Sequence, residues 1–161
     1  MASLAALALS ACGGAGPGAR GPGPTAGRRT YTNPPSWAPP PGYTHAVATG
    51  GGRLLFLSGQ VPLDARGQLV GGADFEAQAR QVFENIKTVL ASAGASFDDV
   101  VKMTYLVVGL DAAKVKTLRA VRDVYLPAGR RPASTLFGVP ALFRDDVLLE
   151  VEATAELPAG R

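Results

Sequence analysis

The chain holds one cysteine, Cys12, and one histidine, His45. A lone cysteine excludes an intrachain disulfide and any multi-cysteine metal site. A lone histidine leaves a histidine-rich metal centre without ligands, so no metal is expected. A nucleophilic triad would have to use His45, and no serine stands in a Gly-x-Ser-x-Gly context. No apolar run reaches 18 residues, so nothing is expected to span a membrane as a mature helix. Acids are missing altogether from the first 42 residues, which carry Arg20, Arg28 and Arg29.

That last absence locates the net charge of +3. Residues 43–161 set the other 13 Lys and Arg against all 13 Asp and Glu, so this part is neutral. A neutral domain has no cationic excess with which to release counterions from phosphates, and no nucleic-acid partner is expected. An apolar share of 47% over 161 residues suits one folded domain.

Composition divides the chain near residue 41. Ahead of it come runs such as Gly21-Pro22-Gly23-Pro24 and Pro39-Pro40-Pro41. Such sequence buries too little apolar surface to offset its ordering entropy, so residues 13–40 read as a disordered Gly/Pro-rich linker. Residues 1–12 differ: an apolar run ends in Leu9-Ser10-Ala11-Cys12, which resembles a bacterial lipobox. Cys12 would then be lipidated, anchoring an envelope protein through its lipid. No Lys or Arg precedes the run, and the run is short for a signal segment, so the alternative is a cytoplasmic chain with a free cysteine. A domain at 41–157 and a tail at 158–161 complete the division.

Within the domain, Leu54-Leu55-Phe56-Leu57 reads as a buried strand, paired with 44–49 across Gly50-Gly51-Gly52. Asp74 caps a helix whose apolar positions are Phe75, Ala79, Val82, Phe83, Ile86, Val89, Leu90 and Ala93, stopped at Gly94. Residues 100–108 form a strand. Asp111 caps a second helix with Val115, Leu118, Val121 and Tyr125 on one face, ending before Pro127. Strands follow at 134–139 and from Val147, where Val147, Leu149, Val151 and Ala153 alternate with Leu148, Glu150, Glu152 and Thr154. The order β-β-α-β-α-β-β gives an α+β sheet with two helices on one face. Several strands are apolar on both sides, so the uncovered face calls for another subunit.

Several stretches together resemble the Rid family, the RidA/YjgF/L-PSP type, over residues 40–157. They are Pro41-Gly42-Tyr43, Phe56-Leu57-Ser58-Gly59-Gln60-Val61, Ala77 to Ile86, Val101-Lys102-Met103-Thr104, and Val147 to Ala155 around Glu150-Val151-Glu152-Ala153. The resemblance implies a chorismate-mutase-like fold and a homotrimer with small-molecule clefts between subunits. It also implies hydrolysis of reactive 2-imino or enamine acids to 2-keto acids and ammonia, with no cofactor. Family members have also been labelled endoribonucleases; the neutral domain and single histidine give that reading little to work with.

The family's Pro-Ala-Arg-Ser, whose arginine grips the substrate carboxylate, is matched here by Pro132-Ala133-Ser134-Thr135. Ser134 therefore stands where the guanidinium should be. The adjacent hydroxyls of Ser134 and Thr135 suggest a pocket for a neutral or differently charged ligand. Of the nearby cations, Arg131 would point to the opposite face of the strand and the Arg130 backbone lies about 13 Å off, which leaves Arg144, folding back from the last loop, as the one that could stand in. Glu150 matches the glutamate that orients the attacking water, and Glu152 and Glu156 read as ordinary solvent-facing glutamates. Ser58 and Gly59 match the corner that lines the cleft, and Tyr43 the residue that closes it. Asn85 reads as a tie between helix and loop, and His45 as a surface or interface residue.

Two functions stay open. The first is deaminase-like hydrolysis of an imine, enamine or related C–N compound, weak on standard 2-imino acids. The alternative is a trimer that binds a small molecule without turning it over.

Overall fold

A computed structural model describes residues 28–157. Residues 1–27, with Cys12 and the apolar run, and the tail 158–161 lie outside the described residues.

The elements run β1 (Thr30–Thr32), β2 (Ala46–Ala48), β3 (Arg53–Gln60), α1 (Phe75–Ser92), a 3-10 turn (Phe97–Asp99), β4 (Val100–Val108), α2 (Ala112–Tyr125), β5 (Ala133–Val139) and β6 (Leu149–Leu157). Both helices begin at the expected caps. Asp74 accepts hydrogen bonds from the Glu76 and Ala77 amides, and Asp111 from the Lys114 amide. Gly94, at φ 72°, takes the left-handed conformation that stops α1.

The main sheet has the order β3-β6-β4-β5, antiparallel except for the parallel pair β4 and β5. Alternation puts Leu57, Met103, Tyr105, Val107, Leu149, Val151, Ala153 and Ala155 on one face, under the two helices. From α1, Phe75, Ala79, Val82, Phe83, Ile86 and Leu90 close that core. Each of the side chains larger than alanine contributes about 1.5–3 kcal/mol when fully buried. Val89 and Ala93 are exposed instead, because 100° per residue carries them to the flank of this stripe. Polar ties fix how α1 sits. The buried Gln78 amide donates to the Gly72 and Asp146 carbonyls and accepts from the Leu148 amide. Asn85 donates to the Val61 and Leu63 carbonyls, which is the helix-to-loop tie its sequence context implied.

Among the described residues, no helix lies over the opposite sheet face. That face carries Leu54, Phe56 and Phe137, with Phe56 73% exposed.

The expected hairpin between 44–49 and 54–57 does not form. β2 pairs with β1 in the register Thr30↔Ala48, while β3 pairs with β6 in the register Arg53↔Leu157. The reason is the turn between β2 and β3. Glu156 accepts hydrogen bonds from the Gly50 amide (2.7 Å) and the Gly52 amide (2.9 Å), pinning the turn to the end of β6. A side chain on Gly52 would meet the Leu157 carbonyl at 2.1 Å, so only glycine lets the chain pass this close. β1 lies within the stretch whose composition reads as linker, and Arg29 just before it joins the same network. Its guanidinium donates to the Glu156 carboxylate (3.0 Å) and the Asp99 carboxylate (2.7 Å). Glu156 is thus no solvent-facing residue; it is 3% exposed and holds three segments together.

Candidate functional site

Thr44 sets the geometry of the first candidate region. It is buried, and its amide donates to the Pro132 carbonyl while its hydroxyl donates to the Arg131 carbonyl. These bonds lay Pro41-Gly42-Tyr43 beside the start of β5. Gly42, at φ 95°, passes under Arg122, and a Cβ there would stand 2.2 Å from the Arg122 Nη2. The backbone conformation favours glycine, and a side chain there would displace the Arg122 guanidinium.

Ser134 pairs in register with Met103, which places its side chain on the helix-covered face. Between that face, the 41–43 segment and α2 lies a cleft of about 170 Å³. Tyr43, Ser134, Tyr105, Leu136, Arg119 and Arg122 are among its walls. Sites for drug-sized ligands are about 300–1,000 Å³, so this volume suits a metabolite of few heavy atoms. His45 sits at the margin, with its ring edge-on to those of Tyr43 (5.2 Å) and Trp37 (4.8 Å).

Thr135 does not join Ser134 there. Successive strand residues point to opposite faces, so Thr135 lies on the uncovered face, where its hydroxyl accepts from the Lys102 ammonium at 2.5 Å. Two neighbouring hydroxyls in one pocket is therefore not what the strand provides. Burial pushes the Lys102 ammonium below its usual range. Lys102 also borders a shallow depression with Phe56, Thr104 and Glu152.

Ser58, Gly59 and Glu150 form the second region. The β3–β6 register shifts between Leu57 and Gln60, and Ser58 and Gly59 occupy that irregularity. Glu150 faces away from the core and lies against Gly59: a Cβ on Gly59 would stand 1.7 Å from the Glu150 Oε1. This glycine is what allows the carboxylate to rest against the strand.

Glu150 and Ser134 thus lie on opposite faces of one sheet. One chain alone does not bring them around one small molecule.

Arg144, the suspected stand-in, does not line the Ser134 cleft, and neither do Arg130 and Arg131. Arg144 is bound in the last loop, donating to both carboxylate oxygens of Asp146 at 2.9 and 2.6 Å. Arg131 donates to the Leu126 carbonyl and pairs with Asp123, and Arg130 reaches Asp98. The cations at the cleft are Arg119 and Arg122 of α2, which the sequence reading passed over. Val115, Leu118, Arg119 and Arg122 follow i, i+3, i+4, i+7 spacing, a signal that they share a face. Which way that face looks is not written in the spacing.

Among the described residues no three His, Cys, Asp or Glu side chains gather as a metal site. A larger groove of about 630 Å³ between the C-terminal halves of α1 and α2 contains none of the site residues expected from the sequence.

The family model described as endoribonuclease L-PSP matches residues 35–157. The chain belongs to this family, also called Rid. A Rid-family protein of unknown function, YyfB from Yersinia pestis, superposes with a TM-score of 0.77 at 40% identity. The likeness covers 80% of this chain and 98% of that one. Similar sequences include the 3-aminoacrylate deaminase RutC of Acinetobacter baylyi, 34% identical over 76% of this chain and 94% of that protein. The 2-iminobutanoate/2-iminopropanoate deaminase of Mus musculus is 37% identical over 70% of this chain and 79% of its own length. The α+β architecture is accordingly the chorismate-mutase-like fold of Rid proteins.

Proposed function

We propose that this Rid protein hydrolyses the C=N bond of a small reactive imine, or of the imine tautomer of an enamine, giving the keto compound and ammonia. The observation that carries this reading is Glu150, lying against Gly59 with its carboxylate clear of the core. Relatives with deaminase activity in their names support the reaction class. Glu150 accepts a hydrogen bond from a water, the water oxygen bonds to the imine carbon, and its proton passes through the carboxylate to nitrogen. The carbinolamine hydroxyl then gives up its proton to nitrogen as the C=O bond forms and the C–N bond breaks, releasing ammonia.

The reaction takes place in clefts between subunits of a homotrimer, where Glu150 of one copy approaches the Tyr43–Ser134 cleft of another. Phe56, Leu54 and Phe137 on the uncovered sheet face supply the apolar surface for that assembly. Light scattering of the full chain should give three times the subunit mass, and Phe56→Asp should lower it to that of a monomer. A monomeric natural protein at micromolar concentration would remove the intersubunit cleft from the mechanism.

With Ser134 in place of the family arginine, 2-iminobutanoate and 2-iminopropanoate should turn over more slowly than in members that keep it. Ser134→Arg should raise the rate by about tenfold or more, since a charged hydrogen bond contributes about 1.5–3 kcal/mol. An amino-acid oxidase generates the imine in the assay, and semicarbazide traps what escapes hydrolysis. Missing the arginine also favours a second reading, a trimer that binds its ligand without turnover. Ligand binding with no acceleration by either the natural protein or Ser134→Arg would select it.

A further inference from the structure

From the charges around the Ser134 cleft, we infer that Arg119 and Arg122 of α2 form a carboxylate-binding site for a short aliphatic oxo or imino acid. This deepens the function proposed above and rests on taking this cleft as the substrate cleft. Two guanidinium groups line it and no acidic side chain does. Arg122 is 8% exposed and fixed, donating through Nε (2.9 Å) and Nη2 (2.8 Å) to the Asp123 Oδ1. That same oxygen is also paired with Arg131 Nη1 at 3.1 Å. One carboxylate therefore serves two guanidinium groups, which leaves a positive charge uncompensated. Arg119, one turn earlier on the same face, has no salt-bridge partner among the described residues.

An anion is the partner this arrangement lacks, and the remaining walls decide which kind. Val115, Leu118 and Leu136 are apolar and about 170 Å³ is available, so the anion carries a short hydrocarbon chain. Inorganic phosphate would leave those walls without a contact. Guanidinium suits carboxylate because its N–H groups make parallel charged hydrogen bonds. Arg122 supplies a prearranged charge and Arg119 an adjustable one. The charge that the family draws from β5 is here supplied by α2, across the same cleft.

The test uses the full chain, with 2-oxobutanoate as a carboxylate probe, 2-butanone as its neutral counterpart and inorganic phosphate as a control, followed by protein NMR. The natural protein should bind 2-oxobutanoate more tightly than either of the others. Arg119→Ala should weaken 2-oxobutanoate by about tenfold or more and leave 2-butanone unchanged. Arg119→Lys should recover part of the loss, and Ser134→Arg added to Arg119→Ala should restore binding from the other wall. Arg122 is buried, so it is tested as Arg122→Lys, with the NMR spectrum reporting that the fold persists. Undiminished carboxylate affinity in Arg119→Ala, or phosphate binding as tightly as 2-oxobutanoate, would overturn the inference. Arg119-dependent binding without imine hydrolysis would sustain it and reject the enzymatic reading. Hydrolysis of 2-iminobutanoate that ignores Arg119 would do the reverse.

Discussion

Replacing Glu150 by alanine is expected to slow imine hydrolysis by about 100- to 10,000-fold, the usual range for a positioned general acid–base group. The carboxylate would both orient the water and carry its proton to nitrogen, and alanine does neither. Glu150→Gln separates the two roles: an amide can hold the water and cannot accept its proton. It should lose nearly as much kcat as alanine while leaving KM close to that of the natural protein. Gly59→Ala is the companion variant. Its Cβ would fall 1.7 Å from the Glu150 Oε1, so the carboxylate must swing away or the bulge must shift. A substantial loss of kcat in a folded protein is expected, although no reacting atom has been removed. If Glu150→Ala turned over 2-iminobutanoate at the natural rate, the assignment of this carboxylate would be wrong.

Glu156→Ala should lower unfolding stability by about 3 kcal/mol, the largest effect on stability expected among these variants. It leaves the buried Gly50 amide and the Gly52 amide without their acceptor and strips Arg29 of one carboxylate partner. An unsatisfied buried donor costs about 1–3 kcal/mol, and breaking a buried ion pair from one side about 3–5 kcal/mol. Arg29 keeps Asp99 and is partly solvated, which holds the total near the lower end. Arg29→Ala should cost about 1–2 kcal/mol by the same accounting, because Glu156 retains both glycine amides. Urea unfolding of the two single variants and the double variant measures the coupling. A double variant destabilised by the full sum of the two single losses would mean that Arg29 and Glu156 do not act as a unit. Arg29 precedes residue 35, where the family match begins, and Glu156 lies inside it.

Much of the fold was written locally. Asp74 and Asp111 cap the helices, Gly94 ends the first, and period-two alternation from Val147 onward marks β6, because each signal needs only residues within a turn or two of one another. The motif carrying Glu150 and the absence of arginine at Ser134 were equally legible. What the sequence left open was set by pairings between distant segments. β2 joins β1 rather than β3 because Glu156, more than a hundred residues away, takes the amides of the turn between them. A glutamate alternating with apolar residues carries no sign of that burial. Likewise Ser134 and Thr135 are neighbours in sequence and opposed in space, since the pleat sends one to the α2 cleft and the other to Lys102. Arg119 and Arg122 share a helix face by spacing alone. That this face looks onto Ser134 depends on how α2 packs across β4 and β5, and on Thr44 fastening Gly42 and Tyr43 beside them.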